Sequence, residues 1–124
     1  MPDPAQMIAA VEAYVAAFET GDADAVAALY AEDCIVEDPI GSPLHRGREA
    51  VRAFYAQSMA TGAKLKLEGP VRVAGEYAAF PFSVHLNFDG SPKRIDVIDT
   101  FKFDETGKVV EMRAFWGPGN MQGF

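Results

Sequence analysis

The spacing of apolar residues changes along this chain, from a helical period in the first half to a period of two in the second. Near the start, apolar residues recur at i, i+4, i+7 and i+11, on one face of a helix: Met7, Val11, Tyr14 and Phe18. Pro4 suits the first turn of this helix and Gly21 suits its end. The pattern predicts an amphipathic helix between these two residues.

A second helix and a short strand are predicted next. Asp22 can cap the helix. The apolar face of this helix carries Val26, Leu29 and Tyr30. A strand at residues 34–36 should stop at Asp38 and Pro39, because a proline pushes the preceding residue toward extended geometry.

The third predicted helix runs from about residue 48 to 59, and long alternating strands follow it. One face of this helix is formed by Val51, Phe54, Tyr55 and Ser58. After Gly62, apolar residues alternate in three long runs, at 80–88, 95–103 and 110–116. We therefore expect a single α+β domain over residues 1–124, with three N-terminal helices packed on a curved, mainly antiparallel sheet.

The composition is that of an ordinary globular protein, and it narrows the range of partners. The 124 residues include 11 Lys and Arg against 18 Asp and Glu, a net charge of −7. Nucleic-acid binding requires a basic face, so we expect no such partner, and neutral or cationic ligands suit this field best. We expect no signal peptide and no membrane span, which makes a cytoplasmic location the default.

The sequence offers little for metal, phosphate or covalent chemistry. Cys34 is the only cysteine, and its place in the short strand fits a small core residue. His45 is expected in a loop and His85 on the polar side of a strand, and no spacing typical of metal ligands occurs. Neither a glycine-rich phosphate loop nor a nucleophile elbow is present.

Asp99 breaks the pattern of its strand. A period of two places this carboxyl on the same face as Val97 and Phe101, which should be the core face. Because an unpaired buried charge is costly, Asp99 must either meet a cation or keep its proton. Arg94 and Lys102 belong to the opposite face, so a protonated carboxyl that donates a hydrogen bond is one interpretation. A core carboxylate bound by backbone N–H groups, or a shifted strand register, are the others.

Three tyrosines are predicted on the apolar faces of three different helices: Tyr14, Tyr30 and Tyr55. A buried phenol needs a partner for its hydroxyl, so packing of the helices would join the three in one chain of hydrogen bonds. The pattern alone favours the alternative, in which each tyrosine is bonded separately to a backbone carbonyl.

Asp38 is a candidate general base. It has the parity of Val36 along the strand and faces inward if Val36 does, whereas Glu37 faces the other side. A carboxylate at the mouth of a pocket can accept a proton from a bound molecule. An Asp-Pro pair that only shapes the loop explains the same residues equally well.

Taken together, these residues resemble the bacterial ketosteroid isomerases, which are SnoaL-like and nuclear transport factor 2-like proteins. The resemblance covers essentially the whole chain, with landmarks at residues 14–17, 29–33, 36–41, 54–55, 96–99 and 112–116. Its most specific part is the segment V-E-D-P-I-G at 36–41, accompanied by a tyrosine and a second aspartate in the expected places.

The resemblance implies a cone-shaped domain that encloses an apolar pocket, and a homodimer without cofactor or metal. It implies isomerisation of 3-oxo-Δ5-steroids to 3-oxo-Δ4-steroids through a dienolate, with Asp38 carrying the proton from C4 to C6. Tyr14 and a protonated Asp99 correspond to the oxyanion hole, and Tyr30 and Tyr55 to a supporting network. Four further residues match the substrate-binding wall: Phe54, Phe82, Met112 and Trp116.

Other functions are known on similar scaffolds. A polyketide cyclase or a dehydratase would also use an acid and a base, but scytalone-type dehydratases rely on histidines that His45 and His85 do not match. An epoxide hydrolase would require an Asp-Arg-Asp arrangement, and no arginine shares the parity of Asp99. A non-catalytic steroid-binding protein would need the pocket without Asp38.

Overall fold

The computed structural model describes residues 2–124; Met1, the first residue of the predicted domain, lies outside them. The helices are α1 (Pro4–Thr20), α2 (Ala23–Ala27) and α3 (Arg48–Ala60). The strands are β1 (Tyr30–Glu37), β2 (His45–Arg46), β3 (Lys64–Leu67), β4 (Arg72–Ala74), β5 (Tyr77–Phe88), β6 (Ser91–Phe103), β7 (Val109–Phe115) and β8 (Met121–Gln122). A 3-10 helix at Pro118–Asn120 precedes β8.

The first helix confirms the prediction. Asp3 caps it by accepting a hydrogen bond from the N–H of Gln6 at 2.8 Å, and Gly21 ends it with a φ of 66° that glycine adopts without strain. Its buried residues include the whole predicted face: Met7, Val11, Tyr14 and Phe18. No helix within residues 2–124 combines the length and apolar character needed to cross a bilayer. The cytoplasmic location stays a prediction.

The strands form one curved, mixed sheet in the order β2-β1-β7-β6-β5-β3, with β4 on β5 and β8 on β6. The long strands β5, β6 and β7 form an antiparallel meander, whereas β1 runs parallel to β7. Helices α1 and α3 pack against this sheet, so the predicted α+β architecture is confirmed. The parallel β1–β7 pair brings the end of β1, which Asp38 follows directly, beside the end of β7.

The structure corrects the placement of Tyr30. Helix α2 ends at Ala27, and Tyr30 is the first residue of β1, paired with Val109 of β7, so the prediction of a helical Tyr30 is wrong. Val26 and Tyr30 are both fully buried. Val26 lies in α2 and Tyr30 in β1, and both side chains are buried against the same core. Their spacing therefore resembles that of one helix face, although the helix ends between them.

Three differences concern strands. β1 begins four residues before the predicted start at Cys34, and β4 and β8 were not predicted. His45 lies in the two-residue strand β2, so its predicted place in a loop is wrong. Strand β8 pairs with Arg94 and Ile95 of β6, which carries the end of the chain along the edge of the sheet.

The alternation of β6 is confirmed and orients the candidate functional residues. Val97, Asp99 and Phe101 are buried on the inner face of the sheet, whereas Ile98 on the outer face is 50% exposed. The cations of the opposite parity find partners away from Asp99: Arg94 pairs with Asp96 and Glu68, and Lys102 with Glu76 and Glu111.

A polar cluster surrounds Ser83 on the outer face of the sheet. Ser83 is completely buried, and its Oγ donates a hydrogen bond to a carboxylate oxygen of Glu68 at 2.6 Å. The Nε2 of His85 lies 2.7 Å from the same Oγ, which is free to accept because its proton points to Glu68. Arg94 completes the cluster at 3.4 Å from Glu68. His85 therefore lies on the polar side of its strand, as predicted.

Candidate active site

A cavity of about 260 Å³ lies between α1, α3 and the inner face of β5 and β6. This volume is near the lower limit of the roughly 300 Å³ to 1,000 Å³ that ligand pockets commonly have. Most of its lining side chains are apolar. The polar ones are Tyr14, Asp38, Tyr55, Ser58, Thr61 and Trp116. A site of this composition suits an apolar ligand that carries few polar groups.

Asp38 reaches this cavity from the end of β1, as its shared parity with the fully buried Val36 predicts. The indole Nε1–H of Trp116 donates a hydrogen bond to Asp38 Oδ1 at 2.7 Å. Burial raises the pKa of the Asp38 carboxyl above its usual value, while Trp116 and the nearby His45 oppose this increase. The result is a carboxylate more basic than an exposed one, which suits proton abstraction.

The backbone around Asp38 is held by neighbouring strands. The N–H of Ile40 donates to the carbonyl of Ala114 at 2.9 Å, and the N–H of Gly41 donates to the carboxylate of Glu37 at 2.8 Å. Glu37 faces the other side of the strand, as predicted, and forms an ion pair with Arg113 of β7. These contacts fix the direction in which the Asp38 side chain leaves the chain.

Asp99 is 1% exposed, and neither of its carboxyl oxygens has a hydrogen-bond partner among residues 2–124. The alternative of a carboxylate bound by backbone N–H groups is therefore absent from this part of the chain. Burial raises the pKa of Asp99 well above its usual value, and the charge of Asp38 raises it further. The Tyr14 hydroxyl opposes this increase, although the two groups form no hydrogen bond in this structure. This environment favours the protonated carboxyl.

The three tyrosines do lie together, although they come from two helices and a strand. The hydroxyls of Tyr30 and Tyr55 are 2.6 Å apart. The ring of Tyr14 lies edge-on to that of Tyr55, with centroids 5.6 Å apart, and also to that of Phe101 at 5.2 Å. Burial raises the pKa of Tyr14 well above its usual value, and the Tyr55 hydroxyl opposes this increase. Tyr14 therefore keeps its proton and is held by aromatic packing.

The predicted wall residues divide into two groups. Phe54, Phe82 and Trp116 line the cavity, whereas Met112 is fully buried in the core and is not among the lining residues. Met112 pairs with Val36 of β1 and Phe101 of β6, so it supports the strand before Asp38. Alternation identifies inward-facing residues, but it cannot separate core from cavity wall.

The sequence did not reveal several contacts of the site. The hydrogen bond between Trp116 and Asp38 joins residues 78 positions apart, and it carries no local signal. His45 stacks on Phe54 with ring centroids 4.3 Å apart. Additional apolar residues complete the cavity wall: Phe18, Leu65, Val84, Leu86, Phe88, Ile95 and Val97. Alternation or helical spacing placed most of them on inner faces without indicating a cavity.

Neither a metal centre nor an Asp-Arg-Asp arrangement is found in the part of the chain that the structure describes. No group of three or more His, Cys, Asp and Glu side chains within residues 2–124 could hold a metal ion. Among the described residues, only Asp38 and Tyr14 affect the pKa of Asp99, and no arginine does. The titratable groups that line the cavity are thus the Asp38 carboxyl and the phenols of Tyr14 and Tyr55, whereas the buried Asp99 is not among the lining residues.

Comparison with known proteins identifies the family. The sequence matches the family model of the SnoaL-like domain over residues 11–112. A steroid Delta-isomerase from Nocardioides simplex is 42% identical, over 94% of this chain and 94% of its own length. The epoxide hydrolase LasB from Streptomyces lasalocidi is 29% identical over 78% of this chain, and the match spans 42% of LasB.

A solved structure confirms the fold. That of SalBIII, an epoxide hydrolase/cyclase-like enzyme of pyran ring formation in salinomycin, superimposes with a TM-score of 0.92 over the full length of both chains. Its 23% sequence identity makes this a likeness of fold alone. The family assignment rests instead on the SnoaL-like family model and on the relative that is 42% identical. The chain therefore belongs to the steroid Delta-isomerase family of SnoaL-like domains.

Proposed function

We propose that this protein isomerises 3-oxo-Δ5-steroids to 3-oxo-Δ4-steroids by moving a proton from C4 to C6 through a dienolate. The name of the relative from Nocardioides simplex supports this reaction class. The observation that carries the mechanism is the pair of carboxyls with opposite environments. Asp38 lines the cavity with a hydrogen-bond donor beside it, whereas Asp99 is buried and has no hydrogen-bond partner within residues 2–124.

Asp38 acts as the proton shuttle in this proposal. Its carboxylate removes the C4 proton, which leaves the electron pair in a dienolate whose negative charge lies mainly on the C3 oxygen. The protonated Asp38 then returns the proton to C6, and the double bond moves into conjugation with the ketone. One carboxyl group that reaches both carbons completes the reaction, so the proposal includes no electron transfer and no cofactor.

Tyr14 and Asp99 form the oxyanion hole. Both have a raised pKa because they are buried, so both keep their protons and can donate them in hydrogen bonds. Donors fixed in a site without water stabilise a developing negative charge far more strongly than donors in solution. The Tyr30–Tyr55 pair supports Tyr14 from behind. An ionised Asp99 would repel the dienolate, which is why its burial suits this role.

The cavity wall suits a fused apolar ring system. Phe54, Phe82 and Trp116 provide flat aromatic surfaces, and burial of apolar area contributes roughly 25 cal/mol per Å². A neutral ligand of this kind is also compatible with the net charge of −7. The buried Met112 is assigned a supporting place in the core.

The test is a spectrophotometric assay with 5-androstene-3,17-dione, whose conjugated product absorbs ultraviolet light that the substrate does not. We expect turnover by the wild type and a loss of about 10² to 10⁴ in kcat for Asp38→Asn, because general-base catalysis contributes effects of this size. Product binding should survive in this variant. Near-normal turnover by Asp38→Asn would show that another residue is the base.

Two other results would point to the alternative functions. Steroid binding without turnover by the wild type would indicate a binding protein. Absence of both would favour another reaction of this scaffold, such as those of the epoxide hydrolase and cyclase-like relatives, and those substrates would then be assayed. Either result would overturn the proposed isomerase activity.

A homodimer is the second part of the proposal. On the outer face, Ile98 and Phe115 are cross-strand neighbours and are 50% and 48% exposed. Arg94 and Asp96 lie on the same face of β6, so a twofold-related copy would meet an apolar patch and charges of both signs. Sedimentation should give the dimer mass for the wild type and a monomer for Ile98→Glu. A monomeric wild type would contradict the dimer.

A further inference from the structure

Two walls of the cavity differ in their chemistry. The residues of β5 that line the cavity are all apolar: Phe82, Val84, Leu86 and Phe88. At about 3.3 Å per residue, these side chains extend over roughly 20 Å. Their neighbours on β6, Ile95 and Val97, are apolar as well. This wall offers a ligand contact area but no hydrogen bond.

The wall formed by α3 carries hydroxyl groups instead. Tyr55 lies at its inner end, in contact with Tyr14 and Tyr30. Ser58 follows nearly one turn later, and Thr61 stands at the C-cap of the helix. With a rise of 1.5 Å per residue, Ser58 lies about 4.5 Å and Thr61 about 9 Å beyond Tyr55 along the helix axis. The two hydroxyls therefore line the cavity away from Tyr14 and Asp99.

These hydroxyls differ in what they offer a ligand. Thr61 Oγ1 donates to the carbonyl of Ser58 at 2.5 Å, so its proton is used and only its lone pairs can face the cavity. The half-buried side chain of Ser58 makes no hydrogen bond with other residues in the 2–124 range, including the Phe54 carbonyl one turn earlier. Ser58 can therefore donate to a ligand, and Thr61 can accept.

We infer that Ser58, assisted by Thr61, recognises an oxygen substituent on the steroid rings that lie away from the reacting ketone. This inference rests on the proposed function, which places that ketone beside Tyr14 and Asp99. A keto oxygen on the distant rings accepts from Ser58, and a hydroxyl there can also donate to Thr61. The preferred substrates are then steroids oxygenated at both ends, and Ser58 determines specificity without taking part in the proton transfer.

The experiment compares two substrates that differ only in the distant oxygen: 5-androstene-3,17-dione and 5-androsten-3-one. The quantity measured is the ratio of their kcat/KM values. We expect the wild type to favour the dione and Ser58→Ala to lower that ratio about two- to tenfold, the range of one neutral hydrogen bond. The loss should lie in the dione value alone. Ser58→Thr, which keeps a hydroxyl, should restore most of the ratio, and Thr61→Val should lower it less than Ser58→Ala does.

A control variant excludes a general effect on α3. Gln57→Ala changes the exposed neighbour of Ser58, and it should leave both kcat/KM values unchanged. If Ser58→Ala changes both substrates equally, or the wild type does not distinguish them, the inference is overturned while the isomerase proposal stands. If the wild type converts neither substrate, the isomerase proposal fails and the inference fails with it.

Discussion

On the outer face of β5 and β6, a buried polar side chain has hydrogen-bond partners, whereas on the inner face one has none within residues 2–124. On the outer face, Ser83 is completely buried and hydrogen-bonded to both Glu68 and His85. On the inner face, Asp99 is equally buried, and no residue within 2–124 hydrogen-bonds to it. The hydrogen bond from Ser83 lowers the pKa of Glu68, whereas burial raises that of Asp99.

Under the proposed function, the difference separates polar groups that hold the fold from those that serve a ligand. A buried polar group without a partner costs about 1–3 kcal/mol, and more if it is charged. The outer cluster avoids this cost through internal hydrogen bonds. The inner face bears the cost at Asp99, whose proton is available to a ligand under the proposed function. The comparison leads to four predictions, ordered here by the size of the expected effect.

Replacement of the inner carboxyl should have the largest effect. Asp99→Leu removes one donor from the proposed oxyanion hole, and we expect a fall of about 10² to 10³ in kcat with the fold retained. The matched control is Asp96→Leu, which removes a carboxylate from the outer face of the same strand and should change kcat little. Steady-state assays with circular dichroism check both variants. A wild-type rate for Asp99→Leu would remove Asp99 from the site.

The same carboxyl should make the free energy of unfolding depend on pH. The pKa of Asp99 is raised on folding, so the folded state holds this proton more tightly than the unfolded chain does. The wild type should therefore lose stability relative to Asp99→Asn as the pH rises above about 4, by up to roughly 1.4 kcal/mol per pH unit until the folded carboxyl ionises.

Urea unfolding of both proteins between pH 4 and 8 measures this difference. A difference that stays constant over this range would mean that Asp99 has the same pKa in the folded and unfolded chains. Asp96→Asn, on the outer face, serves as the reference for a carboxyl that is partly exposed and paired with Arg94.

A smaller effect is expected at Trp116. Trp116→Phe keeps an aromatic wall but removes the donor that favours the ionised form of Asp38, so the pKa of Asp38 should rise. Because the base must be ionised to react, the acidic limb of the kcat/KM profile should move to higher pH, with a loss of roughly tenfold on that limb. The loss should be smaller on the plateau. An unshifted acidic limb would show that this hydrogen bond does not tune the base.

The smallest effect on turnover is expected on the outer face. Ser83→Ala breaks the bridge between Glu68 and His85, and we expect a loss of about 1–2 kcal/mol in the free energy of unfolding. Turnover should change less than twofold, since none of these groups lines the cavity that contains Asp38. Thermal unfolding and the steroid assay together test this. A large loss of turnover with little loss of stability would contradict the division between the faces.

Local periodicity predicted the parts of the site that depend on one element. The parity of β6 placed Asp99 among core residues, and the parity of β1 turned Asp38 inward with Val36. Helical spacing likewise gave the buried face of α1 and the inward position of Ser58 on α3. In each case one repeating geometry determines which side of the element a residue faces.

Features that depend on packing between elements could not be predicted. Tyr30 was assigned to a helix because its spacing from Val26 fits one, and only the pairing of β1 with β7 makes it a strand residue. Met112 and Phe82 both point inward, yet only Phe82 reaches the cavity. The bond between Trp116 and Asp38 requires the parallel β1–β7 pair, which joins distant parts of the chain.

The two turns of α3 have different neighbours, and this difference affects how such a protein can evolve. Its inner turn carries Tyr55, which belongs to the tyrosine cluster, and its outer turn carries Ser58 and the start of the cavity rim. Under the proposed function, a substitution in the outer turn can change which molecule is accepted while the proposed acid and base groups stay in place. A scaffold divided in this way can acquire new substrates by single steps, each of which leaves a folded and reactive protein for selection to act upon.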